Sequence, residues 1–175
     1  MGYLEIKKID STEECIHELS ELLIKVVDGG ASIGFLPPID KKDAKHYWES
    51  VINSNVILLV AKKEERIVGT VQLHLCTKQN GKHRAEVAKL MTDPDYLRLG
   101  IARALMNQLI AVAIEAERTL LVLDTREGDP SNTLYLSMGF EKAGRIPNYA
   151  SNAEGTLDAT IIYYKTLVEG GITIK

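Results

Sequence analysis

Hydrophobic positions recur with two different periods along the chain. Apolar residues spaced three and four apart predict helices, whereas apolar residues at every second position or in a short unbroken run predict strands. These patterns predict the element order β, α, α, β, β, β, α, β, α, β. The predicted strands are Tyr3–Ile9, Val56–Lys62, Ile67–Thr77, Arg84–Thr92, Leu120–Thr125 and Thr160–Leu167. The predicted helices lie at about 16–27, at Lys41–Asn53, from within 96–103 to about Ala116, and at Pro130–Met138.

Two turn signals connect the second, third and fourth predicted strands. Lys63–Arg66 is short and polar, and Asn80-Gly81 is a dipeptide typical of a β-hairpin. These three strands are therefore expected to form an antiparallel meander. A helix and the unbroken apolar run Leu120–Thr125 follow, and such a run is typical of a strand covered on both faces. The order predicts an α/β fold with a sheet of mixed direction.

Composition narrows the class of protein without identifying it. The 175 residues are 45% hydrophobic and 26% charged, so we expect one domain over 1–175, with a core at about 3–167 and a tail at 168–175. The net charge of −3 does not favour nucleic acid or an anionic membrane as a partner. No apolar run is long enough to cross a bilayer, and the N-terminal MGYLEIKK lacks the apolar core of a signal peptide. A soluble cytoplasmic monomer or homodimer is expected.

A candidate anion site lies where the third predicted helix begins, in the run Arg98-Leu99-Gly100-Ile101-Ala102. The N–H groups of a first helical turn have no partner within the helix, and the helix dipole is positive there. A glycine lets the backbone approach a ligand closely, so this turn could hold a pyrophosphate. A single glycine more commonly only eases the start of a helix, and the chain contains neither GxxxxGK[ST] nor GxGxxG.

The wider segment EVAKLMTDPDYLRLGIARALM resembles the cofactor-binding motif of the GNAT acetyltransferase superfamily. In that family a strand ends in a proline-containing turn, and a Gln/Arg-x-x-Gly-x-Gly/Ala loop opens a helix. Gly100 and Ala102 match this loop, while Leu97 stands where the family prefers Gln or Arg. The later NTLYLSMGF resembles the family's Asn-to-Gly-Phe segment, with its tyrosine at Tyr135. In element order the resemblance extends over about 3–167.

The resemblance implies a mixed, mostly antiparallel sheet that is splayed at the cofactor site and flanked by helices. It also implies acetyl-CoA as the co-substrate, with its pyrophosphate on the amides of Arg98 to Ala102. The pantetheine would run beside the strand residues Leu90, Met91 and Thr92. Asn132, the first residue of NTLYLSMGF, would also contact the cofactor.

Four separated segments, GGASIGF, HRAEVAKLM, LDT and IYYKTL, resemble those of the tabtoxin-resistance acetyltransferases, a group within the same superfamily. That resemblance implies that Glu86 and Asp124 form the catalytic base system. The residues themselves leave alternatives open, because an acid in an apolar strand is costly unless it is paired or functional. Glu86 could instead pair with Lys89 or Arg84, and Asp124 could cap the end of its strand.

Tyr135 is the candidate acid for the departing thiolate of coenzyme A, since a phenol is only a slightly weaker acid than a thiol. At helical spacing it could equally be a core aromatic residue. The loop Gly29–Asp40 is rich in glycine and proline yet carries Ile33, Phe35 and Leu36, which need burial. We therefore expect Ile33 and Phe35 to form part of the wall of the acceptor site.

Together these predictions indicate an enzyme that transfers the acetyl group of acetyl-CoA to a small-molecule acceptor. An amine, or a hydroxyl, of the acceptor would attack the thioester directly. Two other functions fit the same fold: a protein N-terminal acetyltransferase and a non-catalytic acyl-CoA-binding sensor. The position of the Gly29–Asp40 loop distinguishes the two kinds of acceptor. If the loop covers the acceptor cleft, only small substrates fit, whereas an open groove favours peptides. The histidines lack metal-ligand spacing, so no metal is predicted, and His74 is expected to be structural or to line the substrate side.

Overall fold

The computed structural model describes residues 3–167, and a seven-stranded sheet forms its centre. The strands are β1 (Leu4–Ile9), β2 (Val56–Lys63), β3 (Arg66–Leu75), β4 (Arg84–Thr92), β5 (Leu120–Arg126), β6 (Glu141–Ser151) and β7 (Leu157–Thr166). Their order across the sheet is β1-β2-β3-β4-β5-β7-β6, and every neighbouring pair is antiparallel except β4–β5. The predicted mixed, mostly antiparallel α/β fold is confirmed, as is the meander of β2, β3 and β4. The predicted tail 168–175 lies outside the described residues.

Helices cover both faces of this sheet. Within the described part of the chain they are α1 (Ile16–Asp28), α2 (Lys41–Glu49), α3 (Ile101–Glu115) and α4 (Ser131–Ser137). Successive side chains of a strand point to opposite faces, so Val71 and Leu73 of β3 join the core beneath α3, which includes Leu105. A second core packs α1 and α2 on the other face around the fully buried Trp48. No helix within residues 3–167 is long and apolar enough to span a membrane.

The parallel strands β4 and β5 are paired over only part of their length. Their register runs from Arg84 opposite Leu120 to Glu86 opposite Val122, and the pairing ends there. A bulge farther along β4, where Lys89 has φ +53°, bends the strand. The strands separate beyond Glu86, so the edge of β4 that faces β5 has no strand partner there. This opening is the splay that the family resemblance implied.

Helix α2 ends at Glu49 and not at Asn53, and β7 begins at Leu157 and not at Thr160. Two larger differences concern a strand and a turn. The structure adds β6, which patterning misses because this edge strand is mostly exposed, contains Gly144 and Pro147, and departs twice from regular pairing with β7. Asn80-Gly81 does not form a tight hairpin, since Gln79–Gly81 is a short 3₁₀ helix within a longer connection. Neither difference changes the strands β4 and β5 that border the opening.

Candidate active site

A cavity of about 830 Å³ lies at the opening between β4 and β5. Most of the residues predicted for the site line it: Ile33, Glu86, Leu90, Met91, Thr92, Arg98, Gly100, Ile101, Ala102, Asp124 and Tyr135. Leu99, Asn132 and Phe35 are not among its lining residues. The fold therefore gathers residues from several separated elements around one space.

At one end of the cavity, α3 begins beside the loop that contains Arg98 and Gly100. Gly100 directly precedes the first helical turn and has φ +78°, a left-handed conformation that favours glycine. A Cβ atom at this position would meet no protein atom within 4 Å, so the space beside it is open. The N–H groups of the first turn, beginning at Ile101, have no partner within the helix. The side chain of Leu99 is exposed and does not line the cavity, and its contact with a cofactor stays a prediction.

The turn before this loop is anchored by a residue that the sequence analysis missed. Lys25 Nζ, near the end of α1, donates to Asp93 Oδ1 at 2.5 Å and to Asp95 Oδ2 at 2.6 Å. Asp93 is buried, and its Oδ1 also accepts a hydrogen bond from the Asp95 N–H. These bonds fix the short 3₁₀ helix Pro94–Tyr96 against α1. The partners are far apart in sequence, so no local pattern indicated them.

The two candidate bases and the candidate acid lie on opposite faces of the sheet. Ala85, Leu123 and Tyr135 belong to the core beneath α3. Glu86 and Asp124 directly follow Ala85 and Leu123 in their strands, so they point to the other face. A group threaded through the opening would meet the carboxylates on one side and the phenol on the other.

Asp124 is held in place by a threonine that the sequence analysis did not single out. Thr160 Oγ1 on β7 lies 2.9 Å from Asp124 Oδ2 and 2.9 Å from the carbonyl oxygen of Thr125. Thr160 is buried, so this contact restricts where the carboxylate can lie. Glu86 is exposed in the cavity, and the structure does not contain the alternative salt bridge between Glu86 and Lys89.

Lys89 is a further charged group that the structure places at the site. Its Nζ donates a hydrogen bond of 2.5 Å to the carbonyl oxygen of Ile33 and lies 5.5 Å from the centre of the Phe35 ring. Burial lowers the pKa of the Lys89 ammonium, and the nearby negative charges of Asp124 and Glu86 oppose that effect. Lys89 therefore links the two candidate bases electrostatically to the loop that covers them.

Tyr135 is a buried residue that also lines the cavity. The ring centroid lies 5.6 Å from that of Phe140 and 6.0 Å from that of Tyr163, in tilted arrangements. Burial raises the pKa of the Tyr135 phenol strongly, and the negative charge of Asp124 raises it further. The ring is therefore a core aromatic residue and the phenol stays protonated, while the role of Tyr135 as the acid for the thiolate stays a prediction.

The segment between α1 and α2 forms one side of the cavity. Gly29, Ile33 and Gly34 line it, while Phe35 packs against Tyr47 with a centroid distance of 5.0 Å. The expectation that Leu36 is buried is wrong, because its side chain is 51% exposed. The loop still packs on the sheet, since the Ile33 and Phe35 contacts with Lys89 supply the attachment.

Arg126 connects this loop to the hairpin of β6 and β7. Its Nη2 donates to the carbonyl oxygen of Gly30 at 3.0 Å, and its Nε donates to Asp129 Oδ1 at 3.0 Å. Its Nη1 lies 3.7 Å from Asp158 Oδ2 at the start of β7. Tyr149 of β6 and Asp158 both line the cavity, so the loop and the hairpin wall it from two sides. The sequence did not indicate that β6 and β7 contribute to the site, because β6 itself was not predicted.

Asn132 stabilises the turn between β5 and α4. Its Nδ2 donates to the carbonyl oxygens of Arg126 and Asp129, at 2.9 Å each, and its Oδ1 accepts from the Tyr163 hydroxyl at 2.9 Å. The structure thereby gives the side chain a structural role that the sequence did not indicate, and its contact with a cofactor stays a prediction. No group of three His, Cys, Asp or Glu side chains suited to a metal occurs within residues 3–167.

Comparison with known proteins relates this arrangement to curated relatives. N-acetyltransferase 8F1 of Rattus norvegicus is 27% identical over 128 residues, which cover 71% of this chain and 57% of that protein. The [ribosomal protein bS18]-alanine N-acetyltransferase of Escherichia coli K12 is 34% identical over 79 residues, covering 45% of this chain and 53% of that protein. The chain thus spans about half the length of the curated relatives that it matches.

The solved structures share the whole architecture. The Salmonella typhimurium protein yncA, solved with its cofactor acetyl-CoA, superposes with a TM-score of 0.79 and 17% identity over 97% of this chain and 96% of that chain. The model of the acetyltransferase (GNAT) family matches residues 27–140, more than half of the chain and the part that contains β4, α3, β5 and α4. The chain belongs to the GNAT acetyltransferase family.

Proposed function

We propose that this protein transfers the acetyl group of acetyl-CoA to an amine of a small-molecule acceptor. The observation that carries the proposal is the cavity at the opening between β4 and β5, which joins the start of α3 to Glu86, Asp124 and Tyr135. Anion-binding amides at one end and proton-transfer groups at the other suit a long cofactor with a diphosphate and a reactive thioester.

The cofactor would lie along the unpaired part of β4. The pyrophosphate would accept hydrogen bonds from the main-chain N–H groups of the Arg98–Ala102 loop, where Gly100 leaves open space. The pantetheine would run antiparallel to Leu90–Thr92 and use main-chain groups that β5 does not engage, as an added strand would. The thioester would then reach the opening at the level of Glu86 and Asp124.

The chemistry requires one base and one acid on opposite sides of the thioester. An ammonium acceptor would first lose a proton to Glu86 or Asp124, through water, because amines with a pKa near 10 are mostly charged at neutral pH. The free amine would attack the acetyl carbonyl carbon, forming the C–N bond as the C–S bond breaks. The nitrogen would release its surplus proton to solvent, while Tyr135 gives its proton to the departing thiolate and regains one from solvent. Because the amine attacks the thioester directly, no acyl-enzyme forms.

The walls of the cavity favour a small acceptor. The loop around Ile33 and the hairpin residues Tyr149 and Asp158 border the carboxylate side from two directions, and Arg126 ties the two walls together. A cleft narrowed from two sides suits a small molecule better than the end of a folded protein. The four segments that resemble the tabtoxin-resistance acetyltransferases support the same class, and they extend the proposal to amino-acid-like acceptors.

A protein N-terminus is the second candidate acceptor. It is favoured by one observation, the 34% identity over 79 residues with an enzyme whose name specifies the alanine of a ribosomal protein. A peptide would need the loop from Gly29 to Asp40 to move away from the hairpin. The contacts of Arg126 with Gly30 and Asp158 would have to break for that movement.

Product analysis tests these alternatives together. The protein is incubated with acetyl-CoA and single members of a panel of amino acids, polyamines, aminoglycosides, β-lactam-containing amino acids and short peptides, and acetylated products are identified by mass spectrometry. We expect an acetylated small amine and stoichiometric free coenzyme A. Acetylation of peptides alone would establish the second candidate. Tight binding of acetyl-CoA without any product would instead identify an acyl-CoA sensor.

A further inference from the structure

A chain of hydrogen-bonded polar side chains runs from β3 to α2, and one of its ends is opposite Glu86. Gln72 on β3 is 1% exposed, and its Nε2 donates to the Tyr47 hydroxyl at 2.9 Å. Its Oε1 lies 2.8 Å from His74 Nε2. His74 is directly opposite Glu86 in the pairing of β3 with β4, and both residues belong to the face that carries the candidate bases. The acetyl-transfer chemistry described above does not use Tyr47, Gln72 or His74.

The contacts of Gln72 determine where His74 carries its proton. In this arrangement the amide oxygen faces the imidazole, and an amide oxygen can only accept a hydrogen bond. His74 Nε2 must therefore carry the hydrogen, which leaves the lone pair of Nδ1 free in the neutral ring. A buried amide held at both ends fixes this tautomer more firmly than a solvated partner would.

The surroundings of His74 keep the ring neutral while coupling it to Glu86. Burial lowers the pKa of the imidazole, Lys89 on β4 lowers it further, and Glu86 on β4 raises it. On its other side His74 is opposite Val56 of β2, which carries no charge. Tyr47 of α2 contacts Gln72, which in turn contacts the ring. A neutral imidazole opposite Glu86 has a free lone pair that can accept a proton from the Glu86 carboxyl group.

We propose that His74 is a positioning residue for Glu86 and a reservoir for the proton that Glu86 takes from the acceptor. This inference rests on the proposed acetyl transfer. The acceptor ammonium gives one proton to the Glu86 carboxylate, and Glu86 passes it to Nδ1 of His74. Glu86 returns to its anionic form and His74 becomes a cation held by Gln72. The proton leaves to solvent after the product departs, which restores the neutral ring.

The coupling can be measured without any catalysis. Nitrogen-15 NMR of the histidine side chains in the protein free of acetyl-CoA reports the tautomer and the titration midpoint of His74. We expect the Nε2–H tautomer, and we expect the midpoint to fall in Glu86→Gln because a neighbouring negative charge is lost. Glu65→Gln, in the exposed turn between β2 and β3, is the matched control and should leave the midpoint unchanged. An equal midpoint in Glu86→Gln and wild type would overturn the proposal.

Steady-state kinetics test whether catalysis uses the coupling between His74 and Glu86. His74→Gln can keep a donor toward Gln72 but cannot accept a proton near neutral pH. We expect kcat to fall about tenfold, less than the ~10²–10⁴ typical of a proton-transfer group itself, with the acetyl-CoA KM unchanged and the acid limb of the kcat profile displaced. An unchanged kcat and pH profile in a folded His74→Gln variant would contradict the proposal. Absence of transfer by the wild-type protein, with the NMR coupling intact, would refute the proposed function instead.

Discussion

Glu86 and Val122 form the last registered pair between β4 and β5. Beyond this pair the strands diverge, and Asp124, two residues farther along β5, lies on the same face as Val122. The carboxylates of Glu86 and Asp124 thus flank the point at which the sheet opens. The position of this pair decides where a thioester could meet a base, and the first predictions concern that point.

Replacement of the two carboxylates separates chemistry from binding. We expect Glu86→Gln and Asp124→Asn each to lower kcat by ~10²–10⁴ while the Kd for acetyl-CoA changes little, because both side chains lie on the acceptor face. The double variant should lose less than the product of the two factors if the carboxylates act as one unit. Glu65→Gln is the control. Near-wild-type turnover of both single variants at saturating acceptor would assign these residues structural roles.

Gly100 tests the main-chain anion site. An alanine at φ +78° costs roughly 1–2 kcal/mol in the free energy of unfolding, and here it meets no neighbouring protein atom. Gly155→Ala is a matched control, since Gly155 has φ +80°, open space and a position in the turn between β6 and β7. Both variants should lose similar stability, but only Gly100→Ala should bind acetyl-CoA about tenfold or more weakly. Equal affinities by calorimetry would exclude close approach of the cofactor at Gly100.

Tyr135→Phe removes the hydroxyl of the candidate acid and leaves the ring, so it creates no cavity in the core. Because burial and Asp124 raise the pKa of this phenol far above its usual range, Tyr135 stays protonated throughout the working pH range. We therefore expect kcat to fall by a similar factor at every pH between about 6 and 9, with the alkaline limb unmoved. Tyr164→Phe, at an exposed hydroxyl bonded to Glu141, should leave kcat unchanged. An alkaline limb that disappears in Tyr135→Phe would contradict this assignment.

The raised pKa of Tyr135 also predicts how the free energy of unfolding changes at alkaline pH. The folded protein holds the Tyr135 proton more tightly than the unfolded chain, whose phenols titrate near pH 10. The stabilisation from this group is therefore complete below about pH 10 and is lost as the pH rises beyond that value. Urea unfolding should show a smaller stability loss between about pH 9 and 11 in Tyr135→Phe than in wild type. Parallel losses in the two proteins would refute the prediction.

Phe35 tests the attachment of the acceptor wall. Its ring contacts Tyr47 and lies beneath the Lys89 ammonium, which in turn holds Ile33. Phe35→Ala should loosen the loop and raise the acceptor KM about tenfold, with a smaller change in the acetyl-CoA KM. Leu36→Ala, at an exposed neighbouring position, is the control and should change neither constant by more than about twofold. Equal effects on both substrates would place the loop outside the acceptor site.

Local patterning was sufficient for most of the fold. Strand β4 has the predicted bounds Arg84–Thr92, because a mostly apolar run begins after a polar connection and a proline-containing turn ends it. Edge strand β6 was missed, since an exposed edge needs no hydrophobic alternation and tolerates proline. Local reading therefore recognises elements that bury one face and overlooks those that bury little.

Residues of the candidate site could be predicted only where the residue type is unusual for its place in the sequence pattern. Glu86 and Asp124 stood out as acids in apolar strands, and Gly100 as a glycine at the start of a helix. Lys89 and Thr160 did not, because their importance comes from contacts with Ile33 and Asp124 across the fold. Such long-range partners leave no periodic signal in the sequence.

The position of acetyl-CoA in a crystal of its complex with this protein is the most direct test of the account. We expect the pyrophosphate within hydrogen-bond distance of the main-chain N–H groups of Arg98–Ala102 and the pantetheine beside Leu90–Thr92. The thioester should lie in the opening between Glu86 and Asp124 on one face and Tyr135 on the other. A cofactor that binds elsewhere and leaves the gap between β4 and β5 empty would contradict the proposed site and its mechanism.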